Sequence, residues 1–126
     1  TGIDISNSAL WVANKNKEEC DIEVNFYKTD VLDNEQLKSV GTFDVIVSNP
    51  PYVPESEKNQ MHKNVLEYEP AIALFVQDND PLLFYKKILV ACEYMLKKNG
   101  WVFFEINETK GKDLLILFEK FVKKLR

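Results

Sequence analysis

The chain has 126 residues, 45% of them hydrophobic and 29% charged, which suits a single soluble globular domain large enough to bury a core. No apolar run approaches the roughly 18 residues of a membrane span, and no basic segment followed by an apolar stretch marks a signal peptide, so a cytoplasmic protein is expected. The formal charge of −4 argues against tight, non-specific nucleic-acid binding, which usually needs a basic face.

Taken in chain order, Gly2-Ile3-Asp4-Ile5 reads as the end of a short strand. Ser6 offers an N-cap, and Ala9, Val12 and Ala13 recur at helical spacing, so a helix is predicted to about Lys17. Residues 23–27 alternate and read as a second strand that stops at Thr29-Asp30. Residues 31–41 form a polar connection with at most one helical turn. Phe43-Asp44-Val45-Ile46-Val47-Ser48 has the β-branched, apolar character of a parallel strand buried on both faces. It ends at Asn49-Pro50-Pro51, because proline cannot donate to a ladder. Residues 52–80 are a long, mixed stretch of the kind that is functional or partly mobile. Pro81 then opens a helix whose apolar face carries Leu82, Tyr85, Ile88, Leu89, Cys92, Met95 and Leu96. Lys97-Lys98-Asn99-Gly100 is expected to close that helix, with the glycine at the cap. Residues 101–106 read as another strand. Residues 110–125 read as an amphipathic helix with Leu114, Leu117, Phe118, Phe121 and Leu125 on its core face. Alternation of this kind predicts a parallel α/β sheet covered by helices.

Asn49-Pro50-Pro51-Tyr52 is the sharpest chemical signal. A Pro-Pro pair alone falls at about one position in 400 at average usage. This one lies just past the C-terminal end of the most apolar strand, where ligands bind in open α/β sheets. An amide nitrogen is a poor nucleophile, because its lone pair is delocalised into the carbonyl. A site that accepts hydrogen bonds from both N–H groups can hold that nitrogen facing a methyl donor. The Asn49 side-chain oxygen supplies one acceptor and the Pro50 carbonyl the other, with Pro51 restricting the backbone between them and the ring of Tyr52 packing on the planar group. The rate gain is then mostly orientation. Against this stands a plain rigid turn that ends a strand. Asp4, an acidic residue at a strand end, suits both ribose hydroxyls of a nucleoside cofactor, and Ile5 beside it suits an adenine ring. Asp30, at the end of the next strand, can accept from an adenine amino group. Each aspartate is equally at home as a turn or cap residue.

The set Gly-Ile-Asp-Ile-Ser at 2–6, Thr29-Asp30, and Phe-Asp-Val-Ile-Val-Ser-Asn-Pro-Pro-Tyr-Val-Pro-Glu at 43–55 resembles class I methyltransferases, and more narrowly the HemK family, also called PrmC. Residues 65–75, 80–85, 96–101 and 104–106 resemble further family segments, so the similarity covers nearly the whole chain. The resemblance implies an α/β, Rossmann-like class I methyltransferase sheet that is incomplete in residues 1–126. The first strand with its glycine-rich loop would precede Thr1, and the last strand pair would follow the final helix. Residues 1–126 would then be a partial S-adenosylmethionine-dependent catalytic domain. The two strands ending at Asp4 and Ser48 would either pair directly or take a strand from another chain in an oligomer. The family transfers a methyl group from S-adenosyl-L-methionine to the glutamine amide of the Gly-Gly-Gln loop in peptide chain release factors. The resemblance gives Asp4 to the cofactor ribose, Ile5 to the adenine face, and Asp30 with the Val31 backbone to the adenine edge. It sets Asn49 at both cofactor and substrate, and gives Pro50, Pro51 and Tyr52 to the substrate amide. Position 81 departs from the pattern, with Pro where the family has Gly.

Other residues carry less. Cys20 and Cys92 lack metal-type spacing and read as reduced thiols, and one histidine, His62, cannot build a histidine-rich metal site, so no metal is expected. His62, Glu67 and Glu69 read as solvated loop residues, and Trp11 and Trp101 as packing residues. Two competing functions remain at this stage. One is a methyltransferase for the exocyclic amino group of adenine in DNA, which would call for a basic groove. The other is a fold that lacks cofactor affinity without the glycine-rich loop.

Overall fold

A computed structural model describes residues 1–125, with the side chain of Leu125 outside the description. The chain divides into two compact units, Thr1–Thr42 and Phe43–Arg126.

In the first unit, strand β1 (Gly2–Asp4) pairs in parallel with β2 (Phe26–Lys28), and helix α1 (Asn7–Glu19) connects them. Ser6 caps α1 by accepting from the Ala9 amide, as its position suggested. A second helix, α2 (Asn34–Val40), occupies the segment expected to be mostly irregular. Its start is over-determined. Asp33 Oδ1 accepts from the Glu35 and Gln36 amides, and Gln36 Nε2 donates to Asp33 Oδ2 at 2.8 Å. Asp33 is thus a side-chain N-cap, and the Gln36 amide braces the capping carboxylate. Leu37 on its inner face is 2% exposed.

In the second unit, β3 (Phe43–Ser48) pairs in parallel with β6 (Leu96–Phe104). Between them run a short parallel pair, β4 (Val53–Pro54) with β5 (Phe75–Val76), a 3-10 turn (Glu55–Gln60), and helices α3 (Lys63–Tyr68) and α4 (Ala71–Leu74). The long middle stretch is therefore structured. Asp78 Oδ1 accepts from both the amide and the hydroxyl of Ser56, which ties the loop after β5 to the turn after β4. Helix α5 (Leu83–Met95) follows, and α6 (Gly111–Leu125) ends the description. On α5, Tyr85, Ile88, Leu89, Cys92 and Met95 are buried, as their spacing predicted. Leu114 of α6 is buried and Leu117, Phe118 and Phe121 are half-buried, while Leu125, expected on the same face, lies outside the described side chains.

Four expectations need correction. Pro81 precedes α5 rather than opening it, since the helix starts at Leu83. Gly100 does not cap α5, which ends at Met95; residues 97–100 belong to β6 and absorb a register shift against β3. Asn99 takes the left-handed conformation there, at φ 64, and Gly100 packs so close to β3 that a Cβ would lie 2.8 Å from the Asp44 carbonyl oxygen. The β3–β6 pair is covered on one face only. Phe104 packs edge-on to Tyr85 of α5 and stacks on Phe118 of α6, whereas Val45, Val47, Trp101 and Phe103, on the other face, are 49–75% exposed. Trp101 thus stacks on Phe103 at the surface, and Trp11 is 60% exposed beneath the Lys15 ammonium, so neither tryptophan is a core packing residue. Among the described residues, β1 has β2 as its strand neighbour and β3 has β6. No described helix is long and apolar enough to cross a membrane.

Candidate functional site

The residues that the sequence singles out sit at the C-terminal ends of parallel strands, the edge where open α/β sheets bind ligands. In the first unit, Asp4 ends β1, and its carbonyl accepts from the Thr29 amide at 3.0 Å, which carries the pairing one step beyond β2. Asp30 follows directly, so both aspartates are brought to one end of the β1–β2 pair. Each spends one carboxylate oxygen on its own turn. Asp4 Oδ1 accepts from the Ser6 amide at 2.7 Å, and Asp30 Oδ1 accepts from the Leu32 amide at 2.8 Å. The turn reading is therefore correct for each, and it orients the side chain without using its second oxygen. The Asp30 amide donates to Gln36 Oε1, so the α2 cap also steadies this turn. Ile5 is 42% exposed beside Asp4, and Val31 is half-buried. A cavity of about 130 Å³ lies along β1 and α1, lined by Ile3, Asp4, Leu10 and Phe26 among others. Drug-sized ligands fill clefts of about 300 Å³ or more. This unit therefore offers polar anchors at a strand end, not an enclosed pocket.

In the second unit, Asn49 is exposed, Pro50 is buried, and Pro51 and Tyr52 are half-buried. The Asn49 side chain makes no hydrogen bond among the described residues, so its amide oxygen is available to a ligand. Burial of the Pro50 ring holds the backbone between Asn49 and Pro51. Tyr52 is fixed at its far end, where its hydroxyl donates to Glu105 Oε1 at 2.9 Å. That hydrogen bond, with burial and the carboxylate charge adding to it, pushes the Tyr52 phenol above its usual pKa, so it stays a neutral donor. Glu105 extends the β3–β6 ladder by donating its amide to the Ser48 carbonyl at 3.0 Å, and its own carbonyl accepts from the Tyr85 hydroxyl at 2.9 Å. Tyr85 is 1% exposed, and burial pushes its phenol up to about 12.

Residues 1–72 match the methyltransferase small domain family. The chain belongs to that family. It is 49% identical over 119 residues to a release factor glutamine methyltransferase of Flavobacterium psychrophilum, covering 94% of this chain and 41% of the relative. It is 46% identical to the enzyme of that name from Bacteroides thetaiotaomicron, covering 92% and 41%, and 40% identical to that of Lactococcus lactis, covering 97% and 44%. The chain thus spans about two fifths of the length of these curated relatives. No solved structure matches it. For a methyltransferase the Asn-Pro-Pro-Tyr turn at a strand end is apt, because it presents an acceptor side chain, a restrained carbonyl and an aromatic ring within four residues.

Two residues in contact with this strand-end cluster, Glu105 and Tyr85, were not singled out from the sequence. Glu105 carried the same signal as Asp4, a carboxylate closing an apolar strand. Tyr85 was read as a core residue, which its ring is; its hydroxyl contact with a strand-end carbonyl has no sequence signature. His62, read as solvated, is exposed and caps α3, its Nδ1 accepting from the Asn64 amide at 3.3 Å. Glu67 and Glu69 are exposed.

Proposed function

We propose that this chain carries the substrate-gripping residues of an S-adenosylmethionine-dependent methyltransferase acting on the side-chain amide nitrogen of a glutamine in peptide chain release factors. The observation that carries the reading is the Asn49-Pro50-Pro51-Tyr52 turn at the end of β3, with the Asn49 side chain uncommitted and Tyr52 held from its far end. The names of the relatives support glutamine as the target. Together with the net charge of −4, they favour an amide over adenine in DNA.

S-adenosylmethionine would supply an electrophilic methyl group on a sulfonium sulfur. In the first unit Asp4 would accept from the ribose hydroxyls through the oxygen its turn leaves over. Ile5 would lie against the adenine, and Asp30 with the Val31 backbone would read the adenine edge. This donor set fits, since a carboxylate acceptor at a strand end is what a ribose diol needs. In the second unit Asn49 Oδ1 would accept from one N–H of the target amide and the Pro50 carbonyl from the other. Pro51 keeps those two acceptors in register, and the Tyr52 ring covers the face of the planar group. The amide nitrogen is thereby held at a single orientation, and most of the acceleration comes from that positioning. The surplus proton on the methylated nitrogen passes to water, so no protein base is required. A release factor works in the cytoplasm, and that substrate would place the enzyme there.

The test is to incubate the full-length protein with labelled S-adenosylmethionine and a release factor, then locate the label by mass spectrometry. A methyl group on the glutamine of the Gly-Gly-Gln loop is expected. Label appearing on DNA and not on the release factor overturns the reading.

A further inference from the structure

We propose that Glu105 is a positioning residue for methyl transfer, fixing the Tyr52 ring against the target amide from the end of β6. This rests on the role given to Tyr52 above and extends it to a residue outside the Asn-Pro-Pro-Tyr turn.

The two prolines restrict the backbone that leads into Tyr52 but leave its two side-chain torsions free. Something must therefore select the ring's pose, and the hydroxyl contact to Glu105 Oε1 at 2.9 Å is the polar contact that does so. The anchor itself is held on both sides of its Cα. Its amide is tied to the Ser48 carbonyl at 3.0 Å, and its carbonyl to the hydroxyl of buried Tyr85 at 2.9 Å. Ser48 immediately precedes Asn49. The same ladder rung therefore fixes the start of the amide-gripping turn and the acceptor that fixes its aromatic end. An O–H to carboxylate bond is stronger and more directional than a neutral one. The raised pKa of Tyr52 agrees with a hydroxyl held to an anion. A surface glutamate that merely added stability would need none of this arrangement, since one ladder bond would suffice.

The experiment uses the full-length protein with isotope-labelled tyrosine, the Tyr52 ring signal being assigned by its loss in Tyr52→Phe. In Glu105→Ala, the Tyr52 signal is expected to shift and its phenol to titrate at lower pH, toward the ordinary tyrosine value. Turnover is expected to fall about tenfold or more, the scale of a lost charge-assisted hydrogen bond, with the KM for S-adenosylmethionine unchanged. Glu105→Gln keeps a neutral acceptor and is expected to recover a large part of both the signal and the turnover. Adding Glu105→Ala to Tyr52→Phe is expected to cost nothing further, because both changes remove one contact. An unmoved Tyr52 signal in Glu105→Ala overturns the proposal. So does a moved signal with wild-type turnover, or losses that multiply in the double variant. Should Glu105→Ala fail to fold, Glu105→Gln and Glu105→Leu carry the same comparison. The ring signal is read without any substrate, so a wrong target would appear as missing release-factor methylation in the wild type while the Tyr52–Glu105 coupling persists.

Discussion

Tyr85→Phe isolates one hydroxyl at the base of the site. The ring stays, with its edge-on packing against Phe104 at 5.4 Å, and only the bond to the Glu105 carbonyl at 2.9 Å is lost. A neutral hydrogen bond of this kind contributes about 1 kcal/mol net. Tyr85→Ala, by contrast, empties a site that is 1% exposed, and should cost about 3–5 kcal/mol. The pH dependence sharpens the contrast. Burial raises the Tyr85 phenol from 10 to about 12, so the group's contribution is fully present below pH 10 and lost as pH rises through the folded value. By linkage the loss is on the order of 1 kcal/mol for each pH unit between 10 and 12. Tyr85→Phe has no such loss. It should be less stable than wild type by about 1 kcal/mol at pH 8, and that gap should narrow and then reverse as pH rises above 10. Urea unfolding midpoints of the two proteins, compared at each pH with the slope m held in view, give the difference directly. A gap that widens above pH 10, or a cost at pH 8 equal to that of Tyr85→Ala, would refute the assignment of that hydroxyl to Glu105.

Asn49→Ala should abolish methyl transfer in the full-length protein while leaving it folded, and Asn49→Asp should be milder because an acceptor oxygen remains; wild-type turnover by the alanine variant would remove Asn49 from the mechanism. Asp4→Ala should weaken S-adenosylmethionine binding by roughly tenfold or more, the scale of a hydrogen bond to a charged group, without a matching loss in release-factor affinity; calorimetry showing unchanged cofactor affinity would leave Asp4 as the turn residue that its bond to Ser6 already makes it. Gly100→Ala should destabilise the second unit by about 1–3 kcal/mol, because the new Cβ meets the Asp44 carbonyl at 2.8 Å and the Leu96 side chain at 2.9 Å; an unchanged unfolding midpoint would mean the β3–β6 bulge relaxes freely. Of the two thiols, exposed Cys20 should react promptly with a disulfide reagent at pH 8, while Cys92, buried and pushed up to about 11, should react only on unfolding; comparable rates would show that α5 opens readily.

The strongly periodic elements were legible because their periodicity reports burial. The apolar stripe of α5 and the core face of α6 appear where the sequence places them, and β3 spans the predicted residues although one of its faces is exposed. What escaped was set by local polar geometry. Helix α2 was underestimated because its residues are polar, although Asp33 three places before Gln36 is a readable cap signal. The end of α5 was misread because Asn99-Gly100 has the composition of a helix cap, and the need here is for close packing against Asp44 and a left-handed turn within a strand. The middle stretch looked irregular because its order comes from contacts distant in sequence, such as Ser56 to Asp78. The same applies to Tyr52 and Glu105, which lie 53 residues apart.

One regularity unites the residues proposed to carry chemistry. Asp4 ends β1 and Asp30 comes after β2; Asn49 and Pro50 follow β3, and Glu105 follows β6. All stand at or just beyond the last rung of a parallel ladder. At that point the backbone is still fixed by the strand behind it, but side chains and carbonyls are released from sheet bonding. Asp4 and Glu105 show how closely this works, since each has a backbone group engaged in the last rung and a carboxylate that accepts beyond it. A residue so placed is held to the precision of the sheet while its polar atoms remain available for a ligand or a neighbouring side chain. A reaction that gains its rate from orienting a weak nucleophile needs that combination more than it needs any strong acid or base. In the proposed mechanism, the absence of a required base and the concentration of acceptors at strand ends therefore have the same physical origin.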